Sequence, residues 1–245
     1  MKPQRIVSLT PSNTEILFAL GVGGRMVGVT EFCDYPPETK KIAKIGDSKT
    51  RVETVVALKP DLVVAHTFLN AQAIQALKRL KLNVLHGDAK TIGELRQFIK
   101  KVATAVGASA QAIDQQFEAS IASAKRNRPK TPPACLFALG ADPIWAAAKD
   151  CYAHELIELA GGRNVLAKTA GQFVSVNMER IVSAKPQVIL TTTGGAKSIR
   201  GDRRWRNVPA VVNRRVHAVD ADVFTRAGPR IALALSLASR IISRG

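Results

Sequence analysis

A repeated segment constrains the fold of this 245-residue chain more than any other feature of its sequence. Residues 52–65 read VETVVALKPDLVVA, and residues 178–191 read MERIVSAKPQVILT. In both copies a glutamate, Glu53 or Glu179, stands seven residues before a proline, and a short helix-like run passes through Lys-Pro into a strand-like run. A chain that carries the same unit twice is expected to fold as two similar halves.

Short β-branched runs alternate with amphipathic stretches around both copies of the repeat. The predicted strands are RIVSL (5–9), MVGVT (26–30), PDLVVA (60–65), NVLHG (83–87), ACLFALG (134–140), PQVILTT (186–192) and RVHAVD (215–220). After the first strand, Ser12 is predicted to cap a helix, with Glu15 completing a capping box. Strands that alternate with helices are typical of parallel sheets in an α/β fold.

One stretch near the middle of the chain differs from this alternation. Residues 109–128 contain neither glycine nor proline, and Ile113, Phe117 and Ile121 recur every four residues before Pro129 ends the pattern. This spacing predicts a helix of about 19 residues, roughly 28 Å long.

The repeat and the long helix together predict the domain organisation. We expect two similar Rossmann-like α/β lobes, residues 1–108 and 131–245, joined by a single rigid helix within residues 109–130. A cleft between two lobes is a common place for a ligand, so we expect the ligand there.

The chain is strongly basic, with 36 lysines and arginines against 19 acidic residues and a net charge of +17. Such a charge suits nucleic acid, an anionic membrane surface, acidic partners or simply a solvated basic surface. Aromatic residues make up only 5% of the chain and no nucleic-acid-binding motif is present, so no nucleic acid partner is expected. The basic clusters are Lys125, Arg126, Arg128 and Lys130, and Arg200, Arg203, Arg204, Arg206, Arg214 and Arg215.

The three cysteines, Cys33, Cys135 and Cys151, are too few for a four-cysteine metal site. A Cys135–Cys151 disulfide is possible, although sequence alone does not fix its geometry. No apolar run of 18 residues predicts a membrane span, and no secretory signal is recognisable, which indicates a cytoplasmic protein or a mature chain whose leader was trimmed.

No catalytic motif is recognisable in the sequence. GxSxG, HExxH and P-loop patterns are all missing, and the serine and histidine residues form no recognisable triad. A binding protein is therefore expected rather than an enzyme, with a two-lobed α/β enzyme as the weaker alternative.

Six segments resemble the periplasmic cobalamin-binding protein family, within the helical-backbone class of ABC-transporter substrate-binding proteins. They are TPSNTEILFALG, VGVTEFCDYPPE, VETVVALKPDLVVA, AGGRNVLA, MERIVSAKPQVIL and RAGPR, and the resemblance runs from about residue 5 to residue 243. It implies a monomeric receptor, periplasmic or membrane-anchored outside the cytoplasm, that delivers a corrinoid such as cobalamin to an ABC permease in the inner membrane. Haem and ferric siderophores, the other metal chelates of this class, are the alternative ligands.

The resemblance also assigns a role to the two repeated glutamates. It implies that Glu53 and Glu179, one on each lobe, contact arginine pockets of the permease, and carboxylates suit bidentate recognition by arginine. The alternative is that both are simply first-turn acids that the helix dipole favours.

The ligand-contacting residues also follow from the resemblance. Phe32 and Phe173 match aromatic positions of the family, while Asp222 and Arg226 match an acid and a base that meet corrin amides. An aspartate accepts and an arginine donates hydrogen bonds, which suits primary amides.

Two histidines stand where the family has tryptophans, namely His66 and His86. A third such position falls around Asp47 or Ser48, where no aromatic residue exists. Both histidines are predicted at the carboxyl ends of neighbouring strands, where α/β folds bind ligands. Each is therefore an axial-ligand candidate for cobalt or haem iron, the alternatives being a polar lining of the site or a purely structural role.

Overall fold

The computed structural model describes residues 2–47 and 49–244. Two compact α/β units are present, which confirms the predicted fold class. The N-terminal unit comprises the chain up to Ala89 together with Gly93–Asp114, and the C-terminal unit comprises Lys90–Ile92 and the chain from Gln115 onward. The predicted domain boundaries stay a prediction. Within the described residues, no helix is both long and apolar enough to cross a membrane.

The N-terminal unit is built on a parallel sheet, four-stranded over its described residues, in the order β2-β1-β3-β4. Its strands are β1 (Ile6–Ser8), β2 (Met26–Gly28), β3 (Leu62–His66) and β4 (Val84–Gly87). Its helices are α1 (Pro11–Ala19), α2 (Val52–Ala57), α3 (Ala71–Arg79) and α4 (Ile92–Val106). The strands and their parallel pairing confirm the prediction made from the apolar runs.

The first helix begins earlier than its capping signal predicts. Thr10 is the N-cap, its hydroxyl accepts a hydrogen bond from the Asn13 amide at 3.4 Å, and Pro11 occupies the first turn. The prediction of Ser12 as the cap is wrong, because proline lacks an amide hydrogen and suits the first helical position.

The long middle helix is α5 (Gln111–Arg126), with 16 residues instead of the predicted 19 or so. Its first turn is fixed within the N-terminal unit, where Asp114 accepts from Arg96 Nε at 2.7 Å and pairs with Lys100 Nζ at 2.9 Å. These two cations lower the pKa of Asp114 to about 2. The division between the two units falls within α5, after Asp114.

The C-terminal unit contains a mixed sheet, six-stranded over the part of the chain that the structure describes. Its strands are β5 (Ala134–Leu139), β6 (Ile144–Ala147), β7 (Arg163–Asn164), β8 (Phe173–Val176), β9 (Val188–Thr191) and β10 (Val216–Ala218). Its helices, besides most of α5, are α6 (Tyr152–Leu159), α7 (Met178–Ala184), α8 (Thr193–Gly201), α9 (Pro209–Val212), α10 (Ala221–Thr225) and α11 (Ile231–Ser243).

This second sheet departs from the parallel pattern that the sequence predicts. Strands β5, β9 and β10 are parallel as expected, whereas β6 runs antiparallel to both of its neighbours, β5 and β8. A short turn joins β5 to β6, and Gly140 adopts a φ of +85° in it. Antiparallel neighbours need only such a turn, whereas a parallel pair needs a long crossover.

The three cysteines are buried and free, so the possible Cys135–Cys151 disulfide is absent. Burial raises the pKa of the Cys135 thiol to about 12, which keeps it protonated and unreactive.

Candidate functional site

The parallel sheet of the N-terminal unit gathers three segments at one edge. Register pairs Ser8 with Val64 and His66 with Gly87, so the carboxyl ends of the strands lie side by side. Phe32 follows β2, His66 is the last residue of β3, and His86 is the third residue of β4, so all three lie at or near this edge. We call this region the N-terminal strand-end edge, and it is the part of an α/β sheet that binds ligands.

Phe32 is one of two exposed aromatic side chains in the segment after β2. It is 56% exposed and Tyr35 is 46% exposed. Between them Cys33 is buried, and its Sγ lies 3.2 Å from Thr14 Oγ1 and 3.1 Å from Thr30 Oγ1. The buried thiol fixes the turn, and the exposed ring of Phe32 beside it is apolar surface that suits an apolar partner.

The segment between β3 and α3 provides apolar surface that the sequence analysis missed. Phe68 is 80% exposed and Leu69 is 64% exposed, directly after His66. Both line a surface cavity of about 540 Å³, together with Thr50 and Asn70. In the sequence, two large apolar residues side by side outside any periodic segment would have indicated this apolar surface.

The third position that was matched to a family tryptophan, around Asp47 or Ser48, gives no aromatic surface. Asp47 uses its carboxylate locally, where Oδ1 accepts from the Lys49 amide at 2.9 Å. The alternative position, Ser48, lies outside the described residues. Phe68 and Leu69 therefore supply apolar surface on an edge that otherwise lacks the family's tryptophans.

His66 is half-buried, and its ring closes the turn after β3. Its Nδ1 accepts a hydrogen bond from the Leu69 amide at 3.3 Å, so the ring proton lies on Nε2. Burial lowers the pKa of His66 despite the opposing effect of Asp88, and the ring is neutral at pH 7. In this tautomer Nε2 is a hydrogen-bond donor, and metal ligation through it requires the proton to move.

His86 has both ring nitrogens engaged. Nδ1 lies 3.2 Å from Thr67 Oγ1, and Nε2 lies 3.0 Å from the Lys78 ammonium, which can only donate. Burial first, and then Lys78 and Lys101, lower its pKa.

The strand register separates the two histidine rings. His86 is opposite Ala65 while His66 is opposite Gly87, and successive residues of a strand point to opposite faces. One metal ion therefore cannot be held by both rings in this arrangement. Among the described residues, no group of three or more histidine, cysteine or acidic side chains is arranged to hold a metal. Axial ligation by a single histidine stays a prediction.

In the C-terminal unit, two aromatic residues share one face of the sheet. Trp145 is opposite Ser175, and Ala147 is opposite Phe173. Opposite residues of paired strands point to the same face, as do residues two apart, so Trp145 and Phe173 are diagonal neighbours. Trp145 is 46% exposed and Phe173 is half-buried. Phe173 was predicted from the sequence as a ligand contact, whereas Trp145 was not, because β6 itself was not predicted.

Buried rings support this aromatic face. The Phe137 ring centroid lies 6.2 Å from that of Phe173, edge to face, and 5.9 Å from that of Phe224 in α10. Such contacts hold the Phe173 ring in place and connect it to the helix that carries Asp222.

Asp222 and Arg226 form an ion pair one helical turn apart. Arg226 Nη2 lies 3.0 Å from Asp222 Oδ1, and the side chains are 14% and 45% exposed for Arg226 and Asp222 respectively. Asp220 caps α10, accepting from the Asp222 and Val223 amides at 2.9 and 3.2 Å. The cap fixes the start of α10, just beyond the carboxyl end of β10.

Glu53 and Glu179 occupy equivalent places in the repeated unit. Each is exposed in the first turn of its helix, α2 or α7. Each helix is followed by a lysine in the left-handed region, Lys59 with φ of 47° two residues after α2 and Lys185 with φ of 46° directly after α7. A proline follows in both copies, so the repetition extends from sequence to backbone.

Each repeated helix also exposes a valine beside its glutamate. Val56 is 39% exposed and Val182 is 42% exposed, each three residues after the acid. Residues three apart lie on the same helix face, so both units present a carboxylate beside an apolar side chain.

Comparison with known proteins identifies the family. The periplasmic binding protein family model matches residues 6–223. The chain is 37% identical over 243 residues to the uncharacterized ABC transporter substrate-binding lipoprotein YvrC of Bacillus subtilis, covering 94% of this chain and 77% of that protein. It is 30% identical over 238 residues to the vitamin B12-binding protein of Salmonella typhimurium, covering 94% and 86%.

A solved structure with the same fold is the periplasmic heme-binding protein RhuT from Roseiflexus sp. RS-1. The TM-score is 0.84 at 28% identity, and 98% of each chain is covered. These relatives are substrate-binding transport proteins and not enzymes. The chain therefore belongs to the periplasmic binding protein family and is a substrate-binding protein of an ABC transporter.

Proposed function

We propose that this protein captures a corrinoid outside the cytoplasm and delivers it to an ABC permease of the inner membrane. The observation that carries the choice of ligand is the Asp222–Arg226 pair at 3.0 Å. The location follows its relatives, which are periplasmic or lipoprotein substrate-binding proteins. That the ligand lies between the two lobes stays a prediction.

The charge of this pair favours amides over carboxylates. Asp222 and Arg226 together present one acceptor group and one donor group with no net charge. A corrin ring carries primary amides, which both donate and accept, whereas haem carries carboxylates that Asp222 would repel. The pair is therefore matched to a neutral amide-rich periphery.

The apolar side chains suit the flat ring of such a ligand. Phe32, Phe68 and Leu69 are exposed in the N-terminal unit, and Trp145 is exposed beside Phe173 in the C-terminal unit. Ligand sites combine apolar walls with a few placed polar groups, and each unit supplies part of that combination.

Haem is the second candidate, and a specific observation favours it. The heme-binding protein RhuT shares 28% identity with the chain across nearly its whole length. Axial ligation by His66 would then require its ring proton to move from Nε2 to Nδ1, with loss of the Leu69 hydrogen bond.

We further propose that Glu53 and Glu179 dock the loaded protein on the permease. Two exposed carboxylates in equivalent places suit two arginine pockets related by the symmetry of a partner. Val56 and Val182 add an apolar contact beside each acid. The protein acts as a monomer in this scheme, since its two units supply both contacts.

A spectroscopic titration tests the proposed ligand. Adding the protein to cyanocobalamin, cobinamide, haemin and a ferric siderophore, with absorbance and calorimetry as readouts, is expected to give saturable one-to-one binding with a corrinoid. Repeating it with His66→Ala and with His86→Ala tests ligation, since an axial ligand shifts the absorbance band and its loss removes that shift. Binding of haemin or the siderophore without any corrinoid would contradict the proposed ligand.

A further inference from the structure

A second cavity, of about 660 Å³, lies in the C-terminal unit away from the residues assigned to the ligand. It lies between β10, an edge strand of the described sheet, and the carboxyl-terminal half of α11. Its polar lining comprises Asn213, Arg215, His217, Arg240 and Arg244. Among the described residues no acidic side chain lines it, so their side chains make the cavity basic or neutral.

The arginines of this cavity lack acidic partners. Among the residues that the structure describes, Arg215, Arg240 and Arg244 have no carboxylate within 4 Å. Arg240 lies in the last turn of α11, and Arg244 is the residue directly after the helix, so two like charges border the same cavity. An anion bound between them would balance these charges.

Arg215 is held in place at the end of the same helix. Its Nη2 donates to the carbonyls of Ile241 at 3.1 Å, Ile242 at 3.3 Å and Arg244 at 2.6 Å. These bonds use one nitrogen of the guanidinium, and in the part of the chain that the structure describes Nε and Nη1 have no hydrogen-bond partner. The guanidinium group is therefore already held in place when a ligand binds, which lowers the entropic cost of binding.

His217 also lines the cavity, between the basic residues. Its Nε2 is buried and has no hydrogen-bond partner within the described part of the chain. Burial first, and then Arg215 and Arg200, lower the pKa of His217, because two guanidinium groups make its surroundings positive. A positive potential of this kind attracts an anion to the cavity.

We propose that this cavity binds a phosphoryl group, supplied either by an anionic lipid headgroup or by free phosphate. The arginines donate to the phosphoryl oxygens in the forked geometry that guanidinium groups favour. Leu237 and Ile241, which complete the lining, form an apolar wall beside the charged groups. This site does not depend on the proposed transport ligand.

The test uses a double variant and a charge-matched control. Arg240→Gln with Arg244→Gln removes two exposed positive charges at the cavity, whereas Lys125→Gln with Arg126→Gln removes two exposed charges from α5. Each protein is titrated with inorganic phosphate by calorimetry, and sedimented with phosphatidylglycerol–phosphatidylcholine vesicles and with phosphatidylcholine vesicles. The cavity variant is expected to lose at least about tenfold in affinity, because two charge-assisted hydrogen bonds are removed, and the control is expected to retain its affinity.

The outcomes distinguish the two sources. Phosphate binding that the cavity variant loses supports a free-anion site, and selective loss of phosphatidylglycerol binding supports a lipid headgroup site. In the unchanged protein, a shift of the His217 ring nitrogen resonances on adding phosphate or a phosphatidylglycerol vesicle is expected as well, and this readout does not depend on how the variants fold. Equal losses in both variants, or no binding and no shift with either probe, would overturn the proposal.

Discussion

Replacing both Glu53 and Glu179 by glutamine is expected to abolish most ligand uptake while leaving ligand affinity unchanged. Both carboxylates are exposed in short helices, so the substitution removes charge without disturbing a core. Loss of a charge-assisted bidentate pair at each of two contacts weakens docking by about 1.5–3 kcal/mol per contact. Uptake of labelled cobinamide in cells and calorimetry on the purified protein measure the two effects separately.

Charge-matched glutamine variants elsewhere provide the control for docking. Glu94→Gln with Glu118→Gln removes two exposed acids from α4 and α5, and uptake is expected to stay near that of the unchanged protein. Uptake by each single variant, Glu53→Gln or Glu179→Gln, should lie between that of the double docking variant and that of the unchanged protein. A double docking variant that binds ligand poorly, or that still supports full uptake, would refute the docking proposal.

Asp222→Ala is expected to weaken corrinoid binding by about 10–100-fold and to strengthen haemin binding. A hydrogen bond to a charged group contributes about 1.5–3 kcal/mol, and its loss accounts for the weaker corrinoid binding. The substitution also removes a carboxylate, 3.0 Å from Arg226, that would repel the carboxylates of haem, which accounts for the stronger haemin binding. Parallel titrations with cyanocobalamin and haemin measure the change in preference.

Asp220→Asn is the matched control, because it removes the same charge two residues away. Asp220 uses its carboxylate to cap α10, and asparagine is an equally good cap, so the helix is preserved. Ligand preference should therefore stay unchanged in this variant. If Asp222→Ala lost affinity equally for cyanocobalamin and haemin, or if Asp220→Asn changed the ligand preference in the same way, the pair would not select between amides and carboxylates.

The repeated unit was predictable because its causes are local. The first-turn acid, the lysine after the helix (Lys59 or Lys185) and the proline that follows it all lie within one short segment. The buried parallel strands were predictable for the same reason, since strands covered on both faces are continuous apolar runs. Strands β6 and β8, with IWAA and FVSV, are too short to show a period; β6 depends on pairing with β5, and β8 depends on pairing with β6.

The candidate site was less predictable because it depends on register and exposure. The sequence placed His66 and His86 at neighbouring strand ends, but only the pairing of His66 with Gly87 shows that their rings take opposite faces. In the same way, Phe68 and Leu69 belong to no periodic pattern, and only the structure shows that both are exposed. The exposure of a side chain depends on how distant segments pack around it, so local periodicity does not predict which loop residues are exposed.

Hydrogen–deuterium exchange with and without cobinamide tests most directly whether these strand-end residues bind a corrinoid. Exchange is expected to slow in residues 30–36 and 66–70 of the N-terminal unit and in residues 144–147 and 220–226 of the C-terminal unit. Helices α2 and α7 should exchange unchanged, because their glutamates are assigned to the permease. Saturating cobinamide that leaves all four segments unprotected, or that protects α2 and α7 instead, would contradict the assignment of the binding site.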